Sequence, residues 1–102
     1  MSVVKLYKLT GALGNEARLE AALRGLRHRV RDSAGCLKIE IYRDGGGQNV
    51  LFFMEHWSSL SDQKAAGAAL SGEVFAPLLE AVSEPPEMHT LWPIEGDDLG
   101  QP

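Results

Sequence analysis

Cysteine, basic residues in the second half and long apolar runs are all scarce in this 102-residue chain. Cys36 is the only cysteine, which excludes an internal disulfide and a multi-cysteine metal site. No stretch approaches the ~20 apolar residues needed to span a bilayer. Met1-Ser2 leads straight into a strand-like pattern, with no charged start, apolar core and cleavage site, so no secretory leader is expected. A cytoplasmic location fits these absences. Residues 52–102 hold one Lys or Arg against nine Asp and Glu, whereas residues 1–51 hold nine against five. The net charge of −4 argues against a general nucleic-acid binder. The basic share gathers at Arg24, Arg27, Arg29 and Arg31, which reads as a solvated helix face, paired with Glu73, Glu80 and Glu84 of a neighbouring helix or subunit. The three histidines, with the acids and the single cysteine, show no metal-ligand spacing, and no metal is expected.

What is present is the composition of one globular domain, 44% hydrophobic and 24% charged, placed over 1–94 with an acidic tail over 95–102. A chain of this size buries roughly 65% of its unfolded surface. Its most informative stretch is Asn49–Trp57, Asn-Val-Leu-Phe-Phe-Met-Glu-His-Trp. Successive strand side chains point to opposite faces. Val50, Phe52, Met54 and His56 then line one face, and Leu51, Phe53, Glu55 and Trp57 the other. Both sets are largely apolar, so this strand is expected at the centre of a sheet, covered on both sides. Which face meets the helices is open at this point, and so is whether Trp57 or His56 reaches a pocket.

Around it the chain falls into order. Val3–Thr10 reads as a strand. Asn15 is a plausible N-cap, and Leu19, Leu23, Leu26 and Val30 recur at helical spacing, giving a helix over about 15–32 that Gly35 can close. Cys36–Asp44 alternates clearly, with Leu37, Ile39 and Ile41 on one face and Lys38, Glu40 and Tyr42 on the other. Asp44-Gly45-Gly46-Gly47-Gln48 is a hairpin turn; a strand follows it where a phosphate loop needs a helix. Ser59-Leu60-Ser61-Asp62 has capping-box spacing and opens a second, alanine-rich helix. Ser71-Gly72 breaks it. Because Pro77 is tolerated best in a first turn, a separate short helix over about 76–83 is expected. Glu87–Trp92 reads as the last strand. Strand, helix, strand, strand, helix, strand is the ferredoxin-like βαββαβ order, an α+β fold with helices on one face of an antiparallel sheet. The other face would be a bare apolar patch, which predicts a homodimer packed sheet to sheet.

With these pieces in place, residues 3–93 resemble an antibiotic biosynthesis monooxygenase (ABM) domain of the dimeric α+β barrel superfamily. The resemblance rests on Val3–Leu9, Gly14 with Leu19, Leu23 and Leu26, the Ala34-Gly35-Cys36 turn, Glu40-Ile41-Tyr42-Arg43-Asp44 and above all Val50–Trp57 with its Glu-x-Trp ending. It implies oxidation of a small phenolic, quinol or anthrone-like substrate by molecular oxygen without a cofactor. Relatives also degrade haem or process small sugar-like signals. Many members carry a histidine in helix two, where this chain has Lys64-Ala65-Ala66-Gly67-Ala68. That departure favours a small-molecule-binding protein without turnover; an isomerase or lyase on the same scaffold is a further alternative to the oxygenase.

Oxygenation of this kind needs a base, donors for a developing enolate or phenolate oxygen, and dry apolar walls. His56 and His89 are candidate bases, though for each a histidine satisfied in the dimer interface or at a strand end is the more ordinary reading. Trp57 is either a pocket wall offering its indole N–H or a core anchor. Tyr7, Phe53, Tyr42 and Trp92 are candidate aromatic walls, and Asn49 a candidate donor or a plain turn residue. Glu55 shares the face of Trp57 and is expected to have a structural partner.

Overall fold

A computed structural model describes residues 2–47 and 49–96. Four strands and three helices follow in the order β1 (Val3–Thr10), α1 (Glu16–Val30), β2 (Cys36–Arg43), β3 (Val50–Trp57), α2 (Leu60–Ala69), α3 (Gly72–Ala81) and β4 (Glu87–Leu91). All pairings are antiparallel, in the spatial order β2-β3-β1-β4. This is the expected ferredoxin-like α+β fold, with β3 and β1 at the centre. None of these helices is long and apolar enough to cross a membrane. The tail expected over 95–102 lies, from residue 97 on, outside the described residues.

The helices cover one face only, and the register says which. Val3, Lys5, Tyr7 and Leu9 of β1 stand opposite Trp57, Glu55, Phe53 and Leu51 of β3. This is the helix-facing set: Val3, Leu9, Leu51, Phe53 and Trp57 are all buried, together with Leu19, Leu23 and Val30 of α1 and Leu78 and Ala81 of α3. The intervening residues, Val4, Leu6 and Lys8 against His56, Met54 and Phe52, form the opposite, open face, half-buried or exposed. The α1 stripe is therefore the one its spacing predicts, and it docks on the odd-numbered face of β3.

Local chemistry explains most boundaries. Ser59 caps α2 by accepting a hydrogen bond from the Asp62 backbone N–H at 3.1 Å. The Asp62 carboxylate turns aside to accept from Ser58 Oγ at 2.7 Å, and the Ser58 and Ser59 contacts hold its pKa below the ordinary carboxylate value. Two expectations need correction. Gly35 does not close α1, which ends at Val30 with Arg31 as C-cap. It instead sits at φ +82° in the turn into β2, where its carbonyl accepts from the Ser58 N–H and any Cβ would collide with the Asp62 side chain. The third helix starts at Gly72 rather than near 76, so Pro77 lies inside it. Val74, Leu78 and Ala81 recur at helical spacing on its inner face, and their burial offsets the backbone hydrogen bond that Pro77 removes on the exposed side. The α1 arginines also differ from expectation. Arg24 pairs with Glu20 of its own helix, Arg43 joins the same carboxylate, and Arg27 Nε donates to the Ile39 carbonyl; among the described residues none pairs with Glu73, Glu80 or Glu84.

Candidate active site

Between the helix-facing side of the sheet and the three helices lies a cavity of about 430 Å³. Its floor is Tyr7 and Leu9 of β1 with Phe53, Glu55 and Trp57 of β3. Leu23, Leu26 and Val30 of α1 form one wall, Phe75, Leu78 and Leu79 of α3 another, and Gln63, Ala66 and Gly67 of α2 a third. Met88 of β4 stands at the rim, where it is 58% exposed. The small residues of α2 create the room: an alanine and a glycine present no bulk where leucines would close the space. No residue of α2 is itself buried.

Three polar side chains interrupt the apolar lining: Glu55, Tyr7 and Gln63. Glu55 is 5% exposed. The Trp57 indole N–H donates to its Oε1 at 3.0 Å. This contact follows from strand geometry, since residues two apart share a face. Glu55 Oε2 makes no hydrogen bond to any described residue, yet among those residues no side-chain oxygen or nitrogen is both fully buried and unpartnered. Oε2 is therefore open to the cavity. Burial raises the pKa of Glu55 above the ordinary carboxylate value, and the Trp57 hydrogen bond and the Lys5 charge partly offset that rise. Tyr7 also has no hydrogen-bond partner among the described residues; burial, and then the neighbouring Glu55 charge, push its hydroxyl far above its usual range, so it stays a neutral donor. Its ring meets Phe53 edge-on, centroids 6.1 Å apart.

The structure sorts the residues expected from sequence into two groups. Trp57, Tyr7 and Phe53 come together in this cavity. His56, His89, Tyr42, Trp92 and Asn49 do not line it. His56 belongs to the open face, where Nε2 lies 2.9 Å from Glu40 Oε1. Glu40 also accepts from Tyr42 and pairs with Lys38 at 3.2 Å, and these bonds, that of Tyr42 foremost, lower its pKa. His89 is exposed and 3.2 Å from Glu87, and Trp92 is 47% exposed beyond the end of β4. Asn49 sits at φ 56° at the foot of the β2–β3 hairpin, where its carbonyl accepts from the Gly11 N–H, and it lines a separate shallow pocket of about 220 Å³. Sequence reasoning placed Glu55 beside Trp57 but expected only a structural partner for it. It missed Gln63 and Lys5. The available signal was the Glu-x-Trp spacing, which puts a carboxylate and an N–H donor on one strand face.

The fold and the cavity define a ferredoxin-like α+β domain with an apolar chamber between its sheet and its helices. The antibiotic biosynthesis monooxygenase family model matches residues 2–70, more than half of the chain, and the chain belongs to that family. No curated protein sequence matches it. Among solved structures it is similar to Rv0793 from Mycobacterium tuberculosis, with a TM-score of 0.84 at 18% identity, covering 96% of this chain and 100% of that one. It is also similar to PA3566 from Pseudomonas aeruginosa, with a TM-score of 0.79 at 21% identity over 92% of this chain and 95% of that one. A single-site mutant of SnoaB from Streptomyces nogalater, a cofactor-independent oxygenase, superposes with a TM-score of 0.80 at 14% identity, over 98% of each chain. At these identities the likeness is one of fold.

Proposed function

We propose that this protein is a cofactor-independent monooxygenase of a small phenolic, quinol or anthrone-like substrate, and that the cavity beneath α2 is its active site. The observation that carries the reading is Glu55: a buried carboxylate with one oxygen fixed by Trp57 and the other open to an apolar chamber. A base placed this way takes the acidic proton of a bound hydroxyarene or anthrone. Trp57 orients it. Tyr7 and Gln63 donate to the oxygen on which negative charge collects. The deprotonated, electron-rich substrate then passes one electron to molecular oxygen. The radical pair recombines at carbon as a hydroperoxide, and loss of water leaves a new carbonyl, one oxygen atom ending in product and the other in water. The protein acts as a homodimer in this reading, its open sheet faces packed together and each cavity complete within one protomer.

The test is oxygen uptake by the chelator-treated protein against a panel of anthrones and hydroquinones. Uptake above the protein-free rate, abolished in Glu55→Gln and kept in His56→Ala and His89→Ala, is the expected result. The His56–Glu40 contact supports a second reading, in which His56 oriented by Glu40 is the base of a site between the two sheets. Loss of uptake in His56→Ala with Glu55→Gln unaffected would move the chemistry there. Turnover without oxygen uptake would instead point to an isomerase or lyase, and tight binding without turnover to a binding protein.

A further inference from the structure

One row of the sheet sets a buried lysine beside a buried carboxylate. Read across the strands, Ile39 of β2, Glu55 of β3, Lys5 of β1 and Thr90 of β4 are successive register partners on the helix-facing side. Lys5 is 8% exposed and Glu55 5%. Buried lysines and carboxylates ordinarily pair directly, because a charge removed from water is costly unless it is matched. Here they do not. Although Lys5 and Glu55 are neighbours across the strands, no ion pair within 4.0 Å joins them, and the Lys5 ammonium donates instead to Thr90 Oγ1 at 2.7 Å on the far side.

We infer that Lys5, held back by Thr90, is a positioning residue that keeps Glu55 ionised while leaving its open oxygen free for a ligand. The inference rests on the reading of Glu55 as the base. A direct salt bridge would stabilise the carboxylate more strongly but would occupy the lone pairs a base needs. No counter-charge at all would leave a buried carboxylate that takes up a proton and ceases to be a base. A cation one strand away, drawn toward the edge strand, satisfies both requirements, since charge acts at a distance inside a poorly screened interior whereas a hydrogen bond acts only in contact. The other groups around Glu55 do not substitute for it. Tyr7 of β1 and Cys36 of β2 are neutral with raised pKa values, Trp57 of β3 is a neutral donor and Gln63 of α2 is neutral; Arg27 of α1 keeps its charge but turns its Nε to the Ile39 carbonyl, and Lys5 is the cation whose charge bears on the Glu55 carboxyl.

The experiment is a titration of the Glu55 side-chain carboxyl by ¹³C NMR in glutamate-labelled protein, the signal assigned by its absence in Glu55→Gln. It needs no substrate. Lys5→Met, or Lys5→Gln where Lys5→Met does not fold, is expected to raise the Glu55 midpoint by about 1 pH unit or more, and Lys5→Arg to restore it. Thr90→Val, at an exposed edge position, frees the ammonium to close on Glu55, and the midpoint is expected to fall below that of the unaltered protein. An unchanged midpoint in the neutral Lys5 variants overturns the role of Lys5, and an unchanged midpoint in Thr90→Val overturns the tether. The same variants assayed for oxygen uptake separate this inference from the one beneath it. An NMR midpoint that moves while the acid limb of the pH–rate profile stays in place sustains the Lys5–Glu55 coupling and rejects Glu55 as the base.

Discussion

Replacing Trp57 with phenylalanine separates the two roles of this residue, core anchor and hydrogen-bond donor, by their pH dependence. Trp57 is 1% exposed, and its indole N–H is the single hydrogen-bond donor to a buried carboxylate among the described residues. The smaller ring leaves a void of roughly 35–40 Å³, which costs about 0.9 kcal/mol at ~24 cal/mol per Å³. A hydrogen bond to a charged group contributes about 1.5–3 kcal/mol and one to a neutral group about 0.5–1.5. Above the Glu55 midpoint the substitution should therefore cost about 2.5–4 kcal/mol, and below it, with the carboxyl protonated, about 1.5–2.5. The difference of about 1–1.5 kcal/mol is readable against a total stability of about 5–15 kcal/mol. Urea unfolding at about pH 8 and about pH 4, followed by far-ultraviolet circular dichroism, measures both. Equal costs at the two pH values would refute the argument, because they would mean that Trp57 acts through its volume alone and that the carboxylate does not depend on its N–H.

Other substitutions probe the remaining links. The raised pKa of Glu55 means that its carboxyl contributes stability that is fully present below the unfolded-state value, near 4.5, and is lost as pH rises through the folded-state midpoint. Glu55→Gln should remove that fall and gain on the unaltered protein at neutral pH, by about 1.4 kcal/mol for each pH unit between the two midpoints, as urea midpoints across pH 4–8 would show. Tyr7→Phe removes a hydroxyl with no protein partner, so its melting temperature should hardly move while calorimetric affinity for a hydroxyarene falls by about 3–10-fold. Met54→Glu, on the open face, should convert a dimer at micromolar concentration into a folded monomer by sedimentation; a monomeric unaltered protein would remove the dimer from the proposal. Pro77→Ala, exposed in the middle of α3, should stabilise by about 1–3 kcal/mol in thermal unfolding, since the freed N–H regains its place in the helix.

The fold was legible because its periodicities are clean. The α1 stripe, the alternation of β2 and the run of β3 each point to one kind of element, and the order of elements leaves few topologies. The orientation of β3 was not legible, and the site depended on it. Val50, Phe52 and Met54 on one side and Leu51 and Phe53 on the other offer no polar contrast, so hydrophobicity could not say which set meets the helices. The histidines drew the expectation of a base because their chemistry is well suited to it, yet His56 and Glu55 are adjacent and must face opposite ways. What turns Glu55 rather than His56 toward the cavity is long-range: the Lys5–Glu55 register and the packing of α1 and α3 on the odd-numbered side. The start of α3 escaped for a related reason. A proline in a helix reads locally as a boundary, and only the burial of Val74, Leu78 and Ala81 against other elements outweighs it.

The pleat of β3 has a consequence for how this protein can change over time. Its odd positions hold the chamber and its even positions the outer sheet surface, so the two can drift independently as long as the phase is kept. Substitutions at Phe52 or Met54 rewrite what the outer surface recognises without touching the chamber. A single residue gained or lost between Val50 and Glu55 does the reverse: it turns the following side chains over, sending Glu55 and Trp57 outward and His56 in. Length changes in this lineage are therefore expected in the glycine turn at 45–47, which absorbs them before the strand begins, and never within the strand itself.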